Sequence, residues 1–203
     1  MQYYELTTLK TVLFGAGKAA PGIQSFLAAG QGTLLGAWAA DIGSLNEVYL
    51  LRGFNALDEL IAERQRVLMS DNPYGCLEFL VNYHSDTYLP FDFVPPVQTG
   101  NYGAVYEIRT YHTKLNGLAP TIEKWRDAIP ARTEQSKMSI AMYALDGAPR
   151  FTQIWPYASA NQRAEVRAKT VADGIWPPKG GPDWLSPNMT STLAVPLAFS
   201  PLK

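Results

Sequence analysis

The stretch Val105-Tyr106-Glu107-Ile108-Arg109-Thr110-Tyr111 decides how this chain is read. In an extended strand Tyr106, Ile108 and Thr110 share one face, and Glu107, Arg109 and Tyr111 share the other. The same opening stands near the start of the chain as Tyr3-Tyr4-Glu5-Leu6-Thr7-Thr8. Two more matches follow in the same order. Asp41-Ile42-Gly43-Ser44-Leu45-Asn46 aligns with Leu145-Asp146-Gly147-Ala148-Pro149-Arg150 when Gly43 is set on Gly147. Each is a polar turn between apolar strands, the signal of a β-hairpin. Leu89-Pro90-Phe91-Asp92-Phe93-Val94-Pro95 is echoed by Val195-Pro196-Leu197-Ala198-Phe199-Ser200-Pro201. Matches in one order read as an internal repeat, with a first module over 1–97, a second over 103–203, and Pro95 to Asn101 as the linker.

Within each copy the expected order is strand, helix, hairpin, helix, strand. In the second copy Leu118, Ile122, Trp125 and Ile129 fall at helical spacing, with Pro120 near the start where proline is tolerated. Ser139 to Ala144 and Phe151 to Trp155 are the hairpin strands, and Ala160, Ala164, Arg167, Ala168 and Val171 make a second helical stripe. In the first copy Leu57, Leu60, Ile61, Arg64, Val67 and Leu68 form a stripe, and Asn55 with Asp58 caps its start. The first helix of that copy is read as short, around Ile23 to Leu27, and bounded by glycine. This β-α-β-β-α-β order is the ferredoxin-like plait, an α+β fold with helices on one face of an antiparallel sheet. The two uncovered sheet faces bury each other, which makes an α+β barrel with an enclosed interior.

Bulk properties narrow the function. The 203 residues are 47% hydrophobic and 17% charged, which suits a compact globule. A net charge of −1 without any basic run gives no field for nucleic acid or an anionic membrane. The single cysteine, Cys76, excludes an internal disulfide and fits a reducing compartment. The N-terminus enters strand-like sequence at once, and the apolar run from Val12 to Leu27 is broken by Gly15, Gly17, Lys18, Pro21 and Gly22. The expectation is a soluble cytoplasmic protein with no membrane insertion.

Val105 to Tyr111 resembles the Y-E-[LI]-R-x-Y opening of NIPSNAP proteins. Trp155-Pro156-Tyr157 is similar to the W-x-Y segment of that family, and Ser191 to Leu202 to its S-R-[LI]-x-x-P-L-P-F-S-P-L ending. The resemblance covers the second copy and, more weakly, the first. It implies tandem ferredoxin-like modules in a dimeric α+β barrel type of architecture, and no settled enzymatic activity. The chain departs from the pattern at Thr192 and at Thr7, where arginine is usual, and at Ala198, where proline is usual.

Candidate site residues follow from the strand faces. Glu107, Arg109 and Tyr111 are placed on the face away from the helices, with Glu5 equivalent in the first copy, so that they line the barrel cavity and orient a ligand or move a proton. The plain alternative is a Glu–Arg pair that fixes strand register, since buried charges persist when paired. His84 and His112 are the only histidines. Histidine ordinarily titrates near neutral pH and serves as acid or base, and His84 is the better candidate, beside the last strand of the first copy. Neither is spaced for a metal, and no metal or cofactor is indicated by motif. Gly15-Ala16-Gly17-Lys18-Ala19 lacks the spacer and hydroxyl of a phosphate loop and is read as a flexible turn before a helix. Trp38 and Tyr143 stand on the two hairpins as apolar pocket walls, and the loop Trp176 to Trp184 either covers the mouth or contacts another subunit. Two functions remain. One is a small-molecule binder or enzyme with Glu107, Arg109 and Tyr111 as its polar end. The other is a non-enzymatic interaction or scaffold protein; a homo-oligomer is expected under either.

Overall fold

A computed structural model describes residues 1–203. Eight strands and four helices follow the order β1 (Tyr3–Thr11), α1 (Gly15–Ala28), β2 (Thr33–Ile42), β3 (Glu47–Phe54), α2 (Leu57–Leu68), β4 (Leu80–Pro90), β5 (Val105–Thr113), α3 (Leu118–Gln135), β6 (Ile140–Ala144), β7 (Arg150–Tyr157), α4 (Ala160–Ala172) and β8 (Leu185–Pro196). The order β-α-β-β-α-β occurs in each half of the chain. Gly43 and Gly147 both take positive φ in the hairpin turns, +117° and +68°, a region that favours glycine.

Helix α1 is longer than its sequence suggests. Gly15 to Ala19 lie inside it, so that stretch is helix and not a flexible turn. Ala19, Ile23 and Leu27 form the buried stripe that justifies it. Gly22 is required by packing, because a side chain there would meet the Gly75 carbonyl oxygen at 2.0 Å. The start of α2 is also capped differently: Glu59 accepts from the backbone N–H groups of Asn55 and Ala56 at 3.1 and 3.4 Å. In α4 the expected stripe is on the wrong side. Val171 is exposed, and Thr170 is the fully buried residue of that helix.

The strands close into one antiparallel barrel in the order β1-β3-β2-β8-β5-β7-β6-β4. Closure happens within one chain, through β2 on β8 (Trp38↔Pro196 to Ile42↔Leu193) and β4 on β6 (Tyr88↔Ala144 to Pro90↔Met142). No edge is left open, which removes the usual route to strand-to-strand aggregation. Both faces of the barrel wall are buried. Tyr4, Leu6, Leu51, Tyr106, Ile108, Ile140, Met142 and Ile154 pack inside it. Outside, Leu9, Val48 and Leu50 meet α1 and α2, while Phe151 and Trp155 meet Trp125 and Ile129 of α3.

The tails interlock the halves. After β4, Phe91 and Val94 pack in the helix layer of the second half; after β8, Leu197 and Phe199 pack in that of the first. One end of the barrel is plugged. Leu202 is completely buried in the interior cluster, and Val97 and Tyr102 pack against it. Backbone bonds between Gly100, Pro201 and Lys203 hold the plug, at 3.0 Å for Gly100 N to Pro201 O and 2.9 Å for Lys203 N to Gly100 O. Burial of a leucine such as Leu202 contributes about 2 kcal/mol. The opposite end stays open.

Candidate functional site

At the open end, inward-facing side chains stop filling the barrel and leave a cavity of about 300 Å³. Leu6, Ile108 and Tyr88 make its floor, and they belong to or border the interior core. One register step further out come hydroxyls, Thr8 on β1, Thr110 on β5, and Thr190 and Thr192 on β8. The rim carries charge and imidazole: Glu47 on β3, His84 and Asp86 on β4, His112 on β5 and Arg150 on β7. Strand alternation causes this gradient, since every second residue points inward at successively shallower depth. The two histidines lie three strands apart around the ring, so they face the cavity from different sides.

Hydrogen bonds fix the polar wall. Tyr49 donates to Glu47 Oε2 at 2.5 Å, and its hydroxyl lies 3.4 Å from Thr192 Oγ1. Burial first, then the Glu47 carboxylate, pushes the Tyr49 phenol well above its ordinary range, so it stays a donor. Burial pushes Tyr88 up to about 12, and its hydroxyl is 3.1 Å from Thr152 Oγ1, which is 2.7 Å from Thr110 Oγ1. Arg150 pairs with Asp86 at 2.8 Å. Burial alone disfavours that guanidinium, but Asp86 outweighs it and holds Arg150 charged. Lys10 reaches Glu47 at 3.8 Å from the solvent side. The result is a cavity with an apolar floor, a belt of hydroxyls and a rim that donates and accepts. No group of three or more His, Cys, Asp or Glu side chains is arranged to hold a metal ion.

Glu107, Arg109 and Tyr111, expected from the sequence to line this cavity, lie outside it. Tyr106 and Ile108 turn inward, so their neighbours turn outward, beneath α4. The interior is an apolar core in its closed half, and the outer face supplies arginines that neutralise the buried acids. Glu5 is likewise outward. Tyr143 packs on Phe91 outside the barrel, and Trp38 lies inside but in the filled half, 5.2 Å from the Tyr106 ring. The loop from Trp176 covers neither end: the Trp176 ring stands 4.7 Å from Trp125, in the helix layer. His84 and His112 do line the cavity, within strands β4 and β5. Arg150, Asp86, Glu47 and Tyr49 also line the cavity and are not among the candidates the sequence offers. Their signal was the alternation itself, once the apolar members of each strand are assigned to the inside.

On the outer face each half holds one completely buried glutamate. Glu5 accepts from Arg52 Nη2 at 2.5 Å and from Arg64 Nε at 2.9 Å. Arg52 also donates to Glu63 at 2.7 Å, and Arg66 donates to Glu63 at 2.6 and 2.9 Å. Glu107 accepts on Oε1 from Arg109 at 2.5 Å, Ser191 at 2.9 Å and Arg163 Nε at 3.1 Å, with a further bond from Arg163 Nη2. Arg109 also donates to the Tyr111 hydroxyl at 2.6 Å. Burial alone would raise the Glu107 carboxyl, but the Arg163 hydrogen bonds and the Arg109 charge win and hold it below its ordinary value.

A family model described as NIPSNAP matches residues 1–95 and again 106–201. Among solved structures, an anthrone oxidase-like protein shares 9% identity with a TM-score of 0.69, covering 100% of this chain and 94% of its own. A proposed monooxygenase from Lactobacillus acidophilus shares 11% identity with a TM-score of 0.67, covering 97% and 94%. A NIPSNAP family protein of unknown function from Agrobacterium tumefaciens shares 23% identity with a TM-score of 0.45, covering 53% of this chain and 100% of its own. A search of curated protein sequences finds no match. No helix is long and apolar enough to cross a membrane.

Proposed function

We propose that this chain, which belongs to the NIPSNAP family, binds a small oxygenated organic molecule in the open end of its barrel. The observation that carries this reading is the cavity of about 300 Å³, at the lower end of the range for ligand sites. Its polar end is His84, His112 and the Arg150–Asp86 pair, in place of the outward-facing Glu107, Arg109 and Tyr111. A ring rests on Leu6 and Ile108, where apolar burial supplies the affinity. Hydroxyl or carbonyl groups on that ring meet Thr8, Thr110 and Thr192 and the two imidazoles, each of which donates at one nitrogen and accepts at the other when neutral. A phenol, a quinone or a hydroxy acid has that mixed character. A histidine within reach of a ligand hydroxyl can take or return its proton, so the same geometry supports acid–base chemistry on such a molecule.

The test is a thermal-shift and NMR titration panel of phenols, quinones and hydroxy acids against the wild type and Thr192→Arg. The longer side chain enters the cavity from β8. One chemical class is expected to bind the wild type saturably and to lose binding in T192R, which still folds. His84→Ala and His112→Ala each weaken the same ligand by roughly tenfold, the worth of one hydrogen bond to a polar ligand. Binding that survives unchanged in T192R, or silence across the panel, would sink the reading.

A further inference from the structure

We propose that the second half carries a separate site for a phosphate group on the outer face of the barrel, formed by Arg109, Arg163 and Arg167 around Glu107. The argument begins with charge. Three guanidiniums converge on one carboxylate, at 2.5 Å for Arg109 and 4.0 Å for Arg167, with Arg163 in direct hydrogen-bond contact. The surplus is two positive charges, which a dianion such as monohydrogen phosphate cancels and a monocarboxylate does not. In the first half two arginines, Arg52 and Arg64, pair with Glu5; Arg52 is shared with a second buried acid, Glu63, which also takes Arg66, and Arg64 also reaches Asp146 at 3.7 Å. That network is closed; the one around Glu107 is not.

Geometry leaves the Arg167 fork free. All hydrogen bonds to Glu107 fall on Oε1, and Oε2 has no hydrogen-bond partner. Arg167 approaches Oε2 only at 4.0 Å, beyond hydrogen-bond reach, so its fork is uncommitted. Burial, and then the Arg109 charge beside it, push the Arg167 guanidinium below its ordinary value, the mark of crowded like charges without enough counter-charge. The three arginines are 12%, 25% and 33% exposed, so they are partly desolvated yet reachable from water. Guanidinium forks match phosphate oxygens two at a time, and a partly buried site strengthens the contact. The first turn of α4 contains Arg163 and no acidic residue, so the helix N-terminus adds to the same field.

The experiment is calorimetric and NMR titration of the intact chain with orthophosphate at constant ionic strength, with phosphatidic acid vesicles as a second arm. The wild type is expected to bind orthophosphate saturably. Arg167→Ala reduces that affinity by at least about tenfold, the loss of a charge-assisted pair. Because Arg167 makes no hydrogen bond to Glu107, this variant is expected to melt no lower than the wild type in phosphate-free buffer. Arg167→Lys keeps the charge but loses the fork, and recovers only part of the binding. Lys169→Ala, on the same helix but paired with Asp173, leaves binding unchanged and excludes a net-charge effect. The proposal is overturned if orthophosphate does not bind saturably, if R167A binds it as the wild type does, or if only the vesicles bind. A lower melting point of R167A without phosphate would overturn it too, by making Arg167 a structural counter-ion.

Discussion

The two halves of the barrel agree where they build core and differ where water reaches. Tyr4 and Tyr106, Leu6 and Ile108, Leu51 and Ile154 turn inward at matching registers. Glu5 and Glu107 are both completely buried on the outer face. At the rim the correspondence ends. The pair Lys10↔Glu47 of the first half stands where the second has His112↔Arg150. Opposite Leu6 and Thr8 stand Asp86 and His84, but opposite Ile108 and Thr110 stand Thr192 and Thr190. A core position is constrained by neighbours on every side, and a change of one methylene is felt. A rim position has water on one side and tolerates exchange. The cavity lies among the positions that differ, and around Glu107 the second half has Arg109 where the first has Thr7.

The largest test of this contrast is Arg52→Met. Arg52 is 2% exposed and bridges Glu5 and Glu63, so its removal takes one arginine from each of two buried carboxylates, leaving Arg64 on Glu5 and Arg66 on Glu63. The expected loss is about 3–5 kcal/mol in urea unfolding, as when one partner of a buried pair is removed. A loss below about 1 kcal/mol would show that the first network is no more closed than the second.

Glu107→Gln is the counterpart in the second half and is expected to cost less, about 1–3 kcal/mol, because its arginines keep access to water. Its acid limb separates the two. The folded-state Glu107 carboxyl lies below its ordinary value of 4.5, so its contribution is complete above that value and is lost as pH falls through the depressed one. Glu63 is depressed in the same direction: burial raises it, but the Arg66 hydrogen bond and further donors prevail. E107Q therefore shows a shallower fall in stability below the ordinary carboxylate range, with the Glu63 part remaining. An unchanged acid limb, measured by urea midpoints across pH, would remove Glu107 from the account.

Much of the architecture was legible because it depends on period and order. Tyr106-Glu107-Ile108-Arg109 announces a strand by alternation, and the same pattern at Tyr4-Glu5-Leu6 supplies the other half. Alternation does not say which face is inside, and polarity was a misleading guide to that. Glu107 is outward because Arg163 and Arg167 of α4 lie there, more than fifty residues along the chain. Glycines misled in α1: Gly15 and Gly17 read as a break, but tertiary packing of Ala19, Ile23 and Leu27 carries the helix through them. The rim of the cavity was hidden for a third reason. Glu47, Asp86 and Arg150 belong to different strands, and only barrel closure brings them round one opening.

The smallest effect is the sharpest comparison. Arg64 and Arg167 occupy matching places on α2 and α4, and both approach the buried glutamate of their own half. Arg64 donates from Nε to Glu5 at 2.9 Å and from Nη2 to the Ser85 carbonyl at 3.0 Å. Arg64→Ala therefore removes two real hydrogen bonds, one of them to a charge, and should cost about 1–3 kcal/mol. Arg167→Ala removes a contact at 4.0 Å together with repulsion from Arg109 and Arg163. The expected change is within about 0.5 kcal/mol of zero in phosphate-free buffer. Adding orthophosphate should then move the wild type and R64A upward while leaving R167A behind, so that the order of the three variants depends on the anion. Equal costs for the two alanine substitutions, with no anion dependence, would mean that both halves use their helix arginines only to neutralise a buried acid. In that case the difference at the rim would be the only functional divergence between them.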